Sequence, residues 1–213
     1  MHFTYHHTKQ ACYLGMFVQA IVINLAPLLF VTFHHSYAIP LRQIGLLVAV
    51  NFGVQLVTDA IAAATVDRFG YRRAIVLSQA AAAAGLLLLG LLPPLMAHPF
   101  AGLVAATVLL AMGGGLLEVV ASPILHALPT EEKSAEMILL HSFSCWGHAA
   151  VVLLSTAYFA LAGLGAWRWL PVAGAAVPVA TGLLGASLLL MYARRRALAA
   201  RPASLSVSRP AGG

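Results

Sequence analysis

The stretch 44–92, IGLLVAVNFGVQLVTDAIAAATVDRFGYRRAIVLSQAAAAAGLLLLGLL, carries two apolar runs, 44–64 and 74–92, on either side of Asp67-Arg68-Phe69-Gly70-Tyr71-Arg72-Arg73. Each run is close to the roughly 20 apolar residues that a helix needs to cross a bilayer. In lipid a segment must satisfy its own backbone N–H and C=O groups, so such runs are read as helices. The alternating segments of about 10 residues that mark a membrane barrel are absent. The charged heptapeptide between the runs is therefore a short loop at one membrane surface. Gly70, able to take a positive φ, suits the reversal, and Asp67 is placed to pair with an arginine or to cap a helix N-terminus.

The same reading extends in both directions, giving six runs at 11–33, 44–64, 74–92, 100–128, 137–164 and 170–193. Of the 213 residues, 61% are hydrophobic and 8% charged, against roughly 25% charged in a soluble domain. That deficit excludes a water-soluble globule, and the chain has room for a single membrane domain only. The expected division is a cytoplasmic N-terminus at 1–10, a six-helix domain at 11–193 and a basic, disordered tail at 194–213. The first run has 23 residues, longer than the 7 to 15 of a signal-peptide core, and is expected to be a retained helix.

Charge fixes the expected orientation. With a cytoplasmic N-terminus, the inner segments hold ten basic residues, Lys9, Arg68, Arg72, Arg73, Lys133, Arg194, Arg195, Arg196, Arg201 and Arg209, and the outer loops only Arg42 and Arg168. Such asymmetry in short loops places both termini in the cytoplasm of a bacterial-type inner membrane. The net charge of +6 thus reads as a topology signal, and no nucleic-acid partner is implied. Cys12 and Cys145 lie in apolar runs and suggest no disulfide framework.

Polar residues inside the runs are unevenly shared. Asn51, Gln55 and Asp59 stand at i, i+4 and i+8 on one stripe of the second run; Gly114, Glu118, Ser122 and His126 do so in the fourth, and His141, Cys145 and His148 stripe the fifth. The first run adds Gln19 and Asn24. The third and sixth hold little beyond Ser78, Gln79, Thr181 and Ser187, and are expected to be lipid-facing supports. The order polar, polar, apolar, repeated once, suggests two three-helix units of opposite orientation, the inverted repeat of secondary transporters. Glu118 is the acid expected to matter most. A mid-span carboxylate is costly, and a carboxyl group held away from water favours its proton-carrying form, so proton binding is a natural role. Asp59, nearer the loop, is expected to pair with an arginine that follows it.

The loop 67–73 and the six-helix context resemble the major facilitator superfamily, whose loop between helices 2 and 3 reads Gly-x-x-x-Asp-Arg-x-Gly-Arg-Arg. Asp67, Arg68, Gly70 and Arg72 match, with Arg73 following; Ala63 stands for the leading glycine and Tyr71 for a usual basic residue. A second resemblance is to the fucose-permease-like branch, through Gly113-Gly114-Gly115-Leu116-Leu117-Glu118, Ser122-Pro123 and the segment His141-Ser142-Phe143-Ser144-Cys145-Trp146-Gly147-His148. The resemblance spans about 10–195. It implies an all-α integral membrane protein that is one half of a major facilitator fold, with the loop steadying one state through contacts between halves. It also implies a proton-coupled transporter of a small polar solute such as a sugar, with no cofactor. Family members have about 12 helices, so the chain is expected to be an N-terminal half or a truncated form, its partners being the bilayer, the solute, and a C-terminal six-helix half or a second copy. The branch often has an acid in helix 1, where this chain has Gln19 and Asn24.

The expected solute- or proton-facing residues are Glu118, Asn24, Gln19, Asn51, Gln55, His141, His148 and Trp146. Other chemistry fits the residues less well. His141, Cys145 and His148 offer soft metal ligands, but that spacing is what any three polar residues on one helix give. Ser144 and His148 have the spacing of a nucleophile and base, without a nucleophile elbow or oxyanion hole for an intramembrane hydrolase. His2, His6 and His7 read as an interfacial cluster. A non-transporting membrane assembly partner is the main alternative function.

Overall fold

A computed structural model describes residues 5–127 and 132–183, and within them every regular element is helical. The chain runs through α1 (Tyr5–Leu28), α2 (Phe30–Tyr37), α3 (Leu41–Phe69), α4 (Tyr71–Leu91), α5 (Pro99–His126), α6 (Lys133–Ala162) and α7 (Trp169–Gly174), which resumes as helix over 176–183 after a turn at Ala175. Five segments are long and apolar enough to cross a membrane: Lys9–Tyr37, Leu41–Phe69, Arg73–Leu91, Pro99–His126 and Lys133–Ala162. The sixth run is represented by the shorter apolar helix Trp169–Leu183. The remainder of that run, the tail 194–213, His2, the side chains of His6 and His7, and residues 128–131 lie outside the described residues.

The first run, expected as one helix, is broken into α1 and α2. Pro27 lies inside α1; it donates no N–H, and its ring crowds the carbonyl four residues back, which breaks or kinks a helix. The backbone answers with a tighter bond from Leu29 N to Ala26 O, 3.0 Å, before the ladder restarts from Phe33 N to Leu29 O, 2.8 Å. Leu29 itself is fully buried, so the break sits inside the bundle. Among the described residues three take a positive φ, Ala38 at 52°, Gly70 at 97° and Gly163 at 75°. Each stands in a connection between helices.

Apolar faces gain little by leaving lipid for each other, so close approach at small residues must hold the helices together. Helix α5 is the hub, packed on α1, α3 and α4, while α6 lies mainly on α1 and α7 on α4. Gly113 of α5 meets the α4 backbone: a Cβ there would stand 2.7 Å from Ala82 N and 2.9 Å from Ser78 O. Gly147 of α6 meets α1, with a would-be Cβ 2.8 Å from Ala20 Cβ. The expectation that the third run is a lipid-facing support is corrected by this contact. Half of its span is buried, with Ser78 and Gln79 inside the bundle, because the Ala and Gly faces of α4 and α5 let their backbones touch. The most exposed spans are α3 and α6.

Both ends of the bundle are pinned. At one, Trp167 packs edge-on to Phe33 (5.3 Å between ring centres) and Tyr37 (5.9 Å), and Tyr158 donates its hydroxyl to Ala166 O at 2.9 Å. At the other, Lys9 and Tyr13 of α1 both donate to the Glu136 carboxylate of α6, and Tyr13 stacks on Phe143 at 5.0 Å.

Candidate functional site

Three helices bring polar side chains to one level. Glu118 projects from α5, and its Oε2 accepts hydrogen bonds from Gln19 Nε2 of α1 and Gln55 Nε2 of α3, each 3.0 Å long. These two amides meet part of the electrostatic need of a carboxylate in a span without supplying a positive charge. Gln19 is buried, and its Oε1 has no hydrogen-bond partner. One turn beyond Gln55, Asp59 lies against Gly115, where a Cβ would stand 2.7 Å from Asp59 Oδ1 and 3.1 Å from Gln55 Cγ. Asp59 Oδ1 is likewise buried without a partner.

This corrects the expected pairing of Asp59 with a following arginine. Helix α3 continues unbroken to Phe69, so Arg68 lies nine residues on, about 14 Å along the axis at 1.5 Å per residue. The stripe spacing of Asn51, Gln55 and Asp59 was visible in the sequence. The orientation of that stripe toward a glycine of α5 was not, because it depends on how two helices cross.

Toward the α2 side of this cluster a cleft of about 110 Å³ opens between α1, α3 and α5. Its polar lining is Asn24, Asn51, Gln55 and Thr107, with Ile23, Pro27, Phe30, Val48 and Phe52 among its apolar walls. Gln55 thus belongs both to the cleft and to the carboxylate cluster. Asn24 Nδ2 donates to Ala20 O at 2.7 Å. Thr107 is a lining residue that sequence reasoning missed; a single threonine in an apolar run gave no stripe to follow.

The α6 candidates do not join this cleft. His141 and Trp146 are exposed, and His148 engages the backbone carbonyl of Ser144 through Nδ1 at 2.8 Å. A carbonyl only accepts, so Nδ1 carries the proton of the neutral ring and cannot serve as base to a nucleophile from that side. Among the described residues no three His, Cys, Asp or Glu side chains gather in a way that could hold a metal ion.

In the loop after α3, Gly70 N bonds Val66 O at 2.8 Å, and Arg73 N returns to Gly70 O at 3.1 Å, so the reversal is made at one residue of positive φ. Asp67, expected to pair with an arginine or cap a helix, accepts the Tyr71 hydroxyl at 2.5 Å, and among the described side chains it makes no ion pair with Arg68 or Arg73. The acid and the phenol flank the turn at Gly70, Asp67 in the last turn of α3 and Tyr71 at the start of α4, close enough for a short acid and a long phenol to meet across it. That bond, partial desolvation and the charge of Asp67 together push the Tyr71 phenol above its ordinary value. Arg68 and Arg73 are exposed; the side chain of Arg72 lies outside the described residues.

A sequence model of the Major Facilitator Superfamily matches residues 12–210. The chain belongs to the major facilitator superfamily. Among curated proteins none matches it. Membership makes the protein an integral membrane transporter of the major facilitator type, a family of carriers and not of enzymes, and the five apolar spans agree. In this major facilitator chain α1, α3 and α5 bring Gln19, Gln55 and Glu118 into one hydrogen-bonded cluster.

Proposed function

We propose that the protein is a proton-coupled transporter of a small polar solute, in which Glu118 takes up and releases the proton. The observation that carries this reading is the Glu118 carboxylate, held by Gln19 and Gln55 from two other helices, with Gln55 also lining the neighbouring cleft. A change in the charge of Glu118 alters what its two amide donors must do, and one of those amides faces the space a solute would fill. Sugars, the solutes the fucose-permease-like resemblance implies, belong to the class that neutral amides and a hydroxyl can hold.

The reading includes two inverted three-helix units and a sixth span. The pairing of α1 with α6 and of α3 with α5 supports it, since exchange of the two units would interconvert those contacts. It also includes cytoplasmic termini in a bacterial-type inner membrane, from the basic asymmetry. A second wall facing the polar sides of α1, α3 and α5 comes from a C-terminal six-helix half or a second copy of the chain.

The test is uptake by membrane vesicles from an expressing host, offered a panel of labelled small polar solutes under an inward pH gradient. Glu118→Gln is expected to abolish uphill accumulation while leaving exchange of pre-loaded solute largely intact. Uphill uptake that survives Glu118→Gln would reduce Glu118 to a packing residue.

A further inference from the structure

The cleft and the carboxylate cluster adjoin between α1, α3 and α5, and one residue belongs to both. Neither Glu118 nor Gln19 is a wall of the cleft, and among the described residues no hydrogen bond joins Asn24, Asn51 or Thr107, its other polar walls, to Glu118. Gln55 does both: its amide nitrogen donates to Glu118 Oε2 at 3.0 Å, and its side chain lines the cleft.

The carboxylate is held unevenly. Gln19 Nε2 and Gln55 Nε2 share Oε2, and no described side chain donates to Oε1. Glu118 is itself exposed, so Oε1 is the oxygen open to a proton. A proton there leaves Oε2 as a neutral carbonyl, which still accepts but without the charge, and a charge-assisted hydrogen bond is roughly twice as strong as a neutral one. The two amides cannot respond alike. Gln19 is buried, and its nitrogen would be left unsatisfied if it let go. Gln55 is half-buried beside the cleft, and Asn51 stands four residues before it on the same stripe of α3, the spacing at which such side chains hydrogen-bond.

We propose that Gln55 is the positioning residue that carries the protonation state of Glu118 into the cleft. With Glu118 ionised, the bond to Oε2 fixes the whole amide of Gln55, its second N–H and its Oε1 included. With Glu118 protonated, the hold weakens and the amide turns toward Asn51 or a solute. A solute that engages Gln55 is then linked to the proton, and each favours the binding of the other. This deepens the transporter reading above and rests on it.

Other titratable groups stand around α5, which packs on α1, α3, α4, α6 and the turn Pro93–Leu95. From α3 the facing acid is Asp59, against Gly115. Helix α4 meets the Gly113 side, and five steps of about 100° turn Glu118 roughly 140° from it. On α1, Lys9 and Tyr13 are bound to Glu136, and Cys12 lies buried beside Tyr13 and Leu140. Helix α6 adds His141 and His148, α5 itself has His126 near its end, and the turn has none. The experiment separates all of these from Glu118 by substituting Glu118 alone.

The sequence has two asparagines, Asn24 and Asn51, and both line the cleft, so isotope-labelled asparagine reports on that space. Their side-chain amide signals are followed by NMR on the 213-residue chain in lipid nanodiscs, across the range from about pH 4 to about pH 8 in which carboxyl groups titrate. Asn51 is expected to show a pH step that Glu118→Gln removes. Gln55→Met, which keeps length and removes the amide, should lose most of that step, whereas Gln19→Met should keep it, wherever on the pH axis it then falls. Asn24, bonded to Ala20 O, shows whether each variant is folded. An Asn51 signal with no Glu118-dependent step, which the wild-type and Glu118→Gln chains alone would reveal, overturns the proposal. A step undiminished by Gln55→Met does so too. The transporter reading fails separately: Glu118-dependent uphill uptake without a Gln55-dependent step would leave the carrier and remove this route, and the step without uptake would do the reverse.

Discussion

Gly113→Ala tests whether α4 and α5 are held by backbone contact, and the geometry sets the size of the effect. An added Cβ would stand 2.7 Å from Ala82 N, 2.9 Å from Ser78 O and 3.0 Å from Ala82 Cα, where unstrained heavy atoms keep about 3.5–4.0 Å. The shortfall is therefore roughly 0.5–1 Å. Two of these atoms belong to the α4 main chain as amide and carbonyl, and the third is a Cα, so no side chain can rotate away. The helices must separate along the most extensive helix–helix interface among the described residues. Overpacking of this kind costs about 1–3 kcal/mol, and the rigidity of the obstacle puts this site in the upper part of that range. Alanine returns about 1 kcal/mol through its better helix propensity, which leaves a net loss of about 1–2 kcal/mol. Gly53 of α3 supplies the control, because a Cβ there meets nothing within 4 Å. Gly53→Ala should be neutral or stabilising by up to about 1 kcal/mol. Equilibrium unfolding of the purified chain in mixed detergent micelles would measure both. A Gly113→Ala chain as stable as the Gly53→Ala chain would refute the claim that glycine is needed for this contact.

Two further outcomes are expected. The Tyr71 phenol is held protonated by its bond to Asp67; a phenol raised in the folded state stabilises fully below the unfolded value near pH 10 and loses that contribution as the pH climbs through the folded value, so wild type should lose more stability than Tyr71→Phe on going from about pH 9 to about pH 11, and equal losses would remove the contact as a stabiliser. In a background lacking Cys12 and Cys145, an impermeant thiol reagent should label Ala97→Cys from outside the cell and reach Lys133→Cys only after the membrane is opened; labelling of Lys133→Cys in intact cells would reverse the proposed orientation.

Spans were readable because the bilayer imposes a length and forbids unsatisfied backbone, and both requirements are written in local composition. The break after Pro27 was a different matter. Proline is tolerated in membrane helices wherever neighbours re-satisfy the freed groups, so its presence in the first run left open whether the helix would continue through it or break. Asp59 shows the same limit in the site. Its distance along the helix from the loop was legible and pointed to the arginines, but its rotation relative to α5 is a property of the crossing. Gln79 and Ser78 were read as incidental polar residues of a lipid-facing helix for the same reason: periodicity shows which residues share a face, and only packing shows what that face meets.

The glycine triplet before Glu118 ties packing to the site. Successive residues on a helix are about 100° apart, so three consecutive glycines open three different sides of α5 at nearly the same height. Gly113 faces Ser78 and Ala82 of α4, Gly114 faces Ile23 of α1, and Gly115 faces Gln55 and Asp59 of α3. Three helices can therefore converge on one level of α5, which a side chain at any of these positions would push apart. Glu118 follows Gly114 by four residues and Gly115 by three, the spacings that put it on the side between α1 and α3. Gln19 and Gln55 reach it from those two helices. The segment Gly113-Gly114-Gly115-Leu116-Leu117-Glu118 thus encodes both the close approach and the group around which it closes. A carboxylate one residue earlier or later would be turned by about 100°, away from one of its two amide donors.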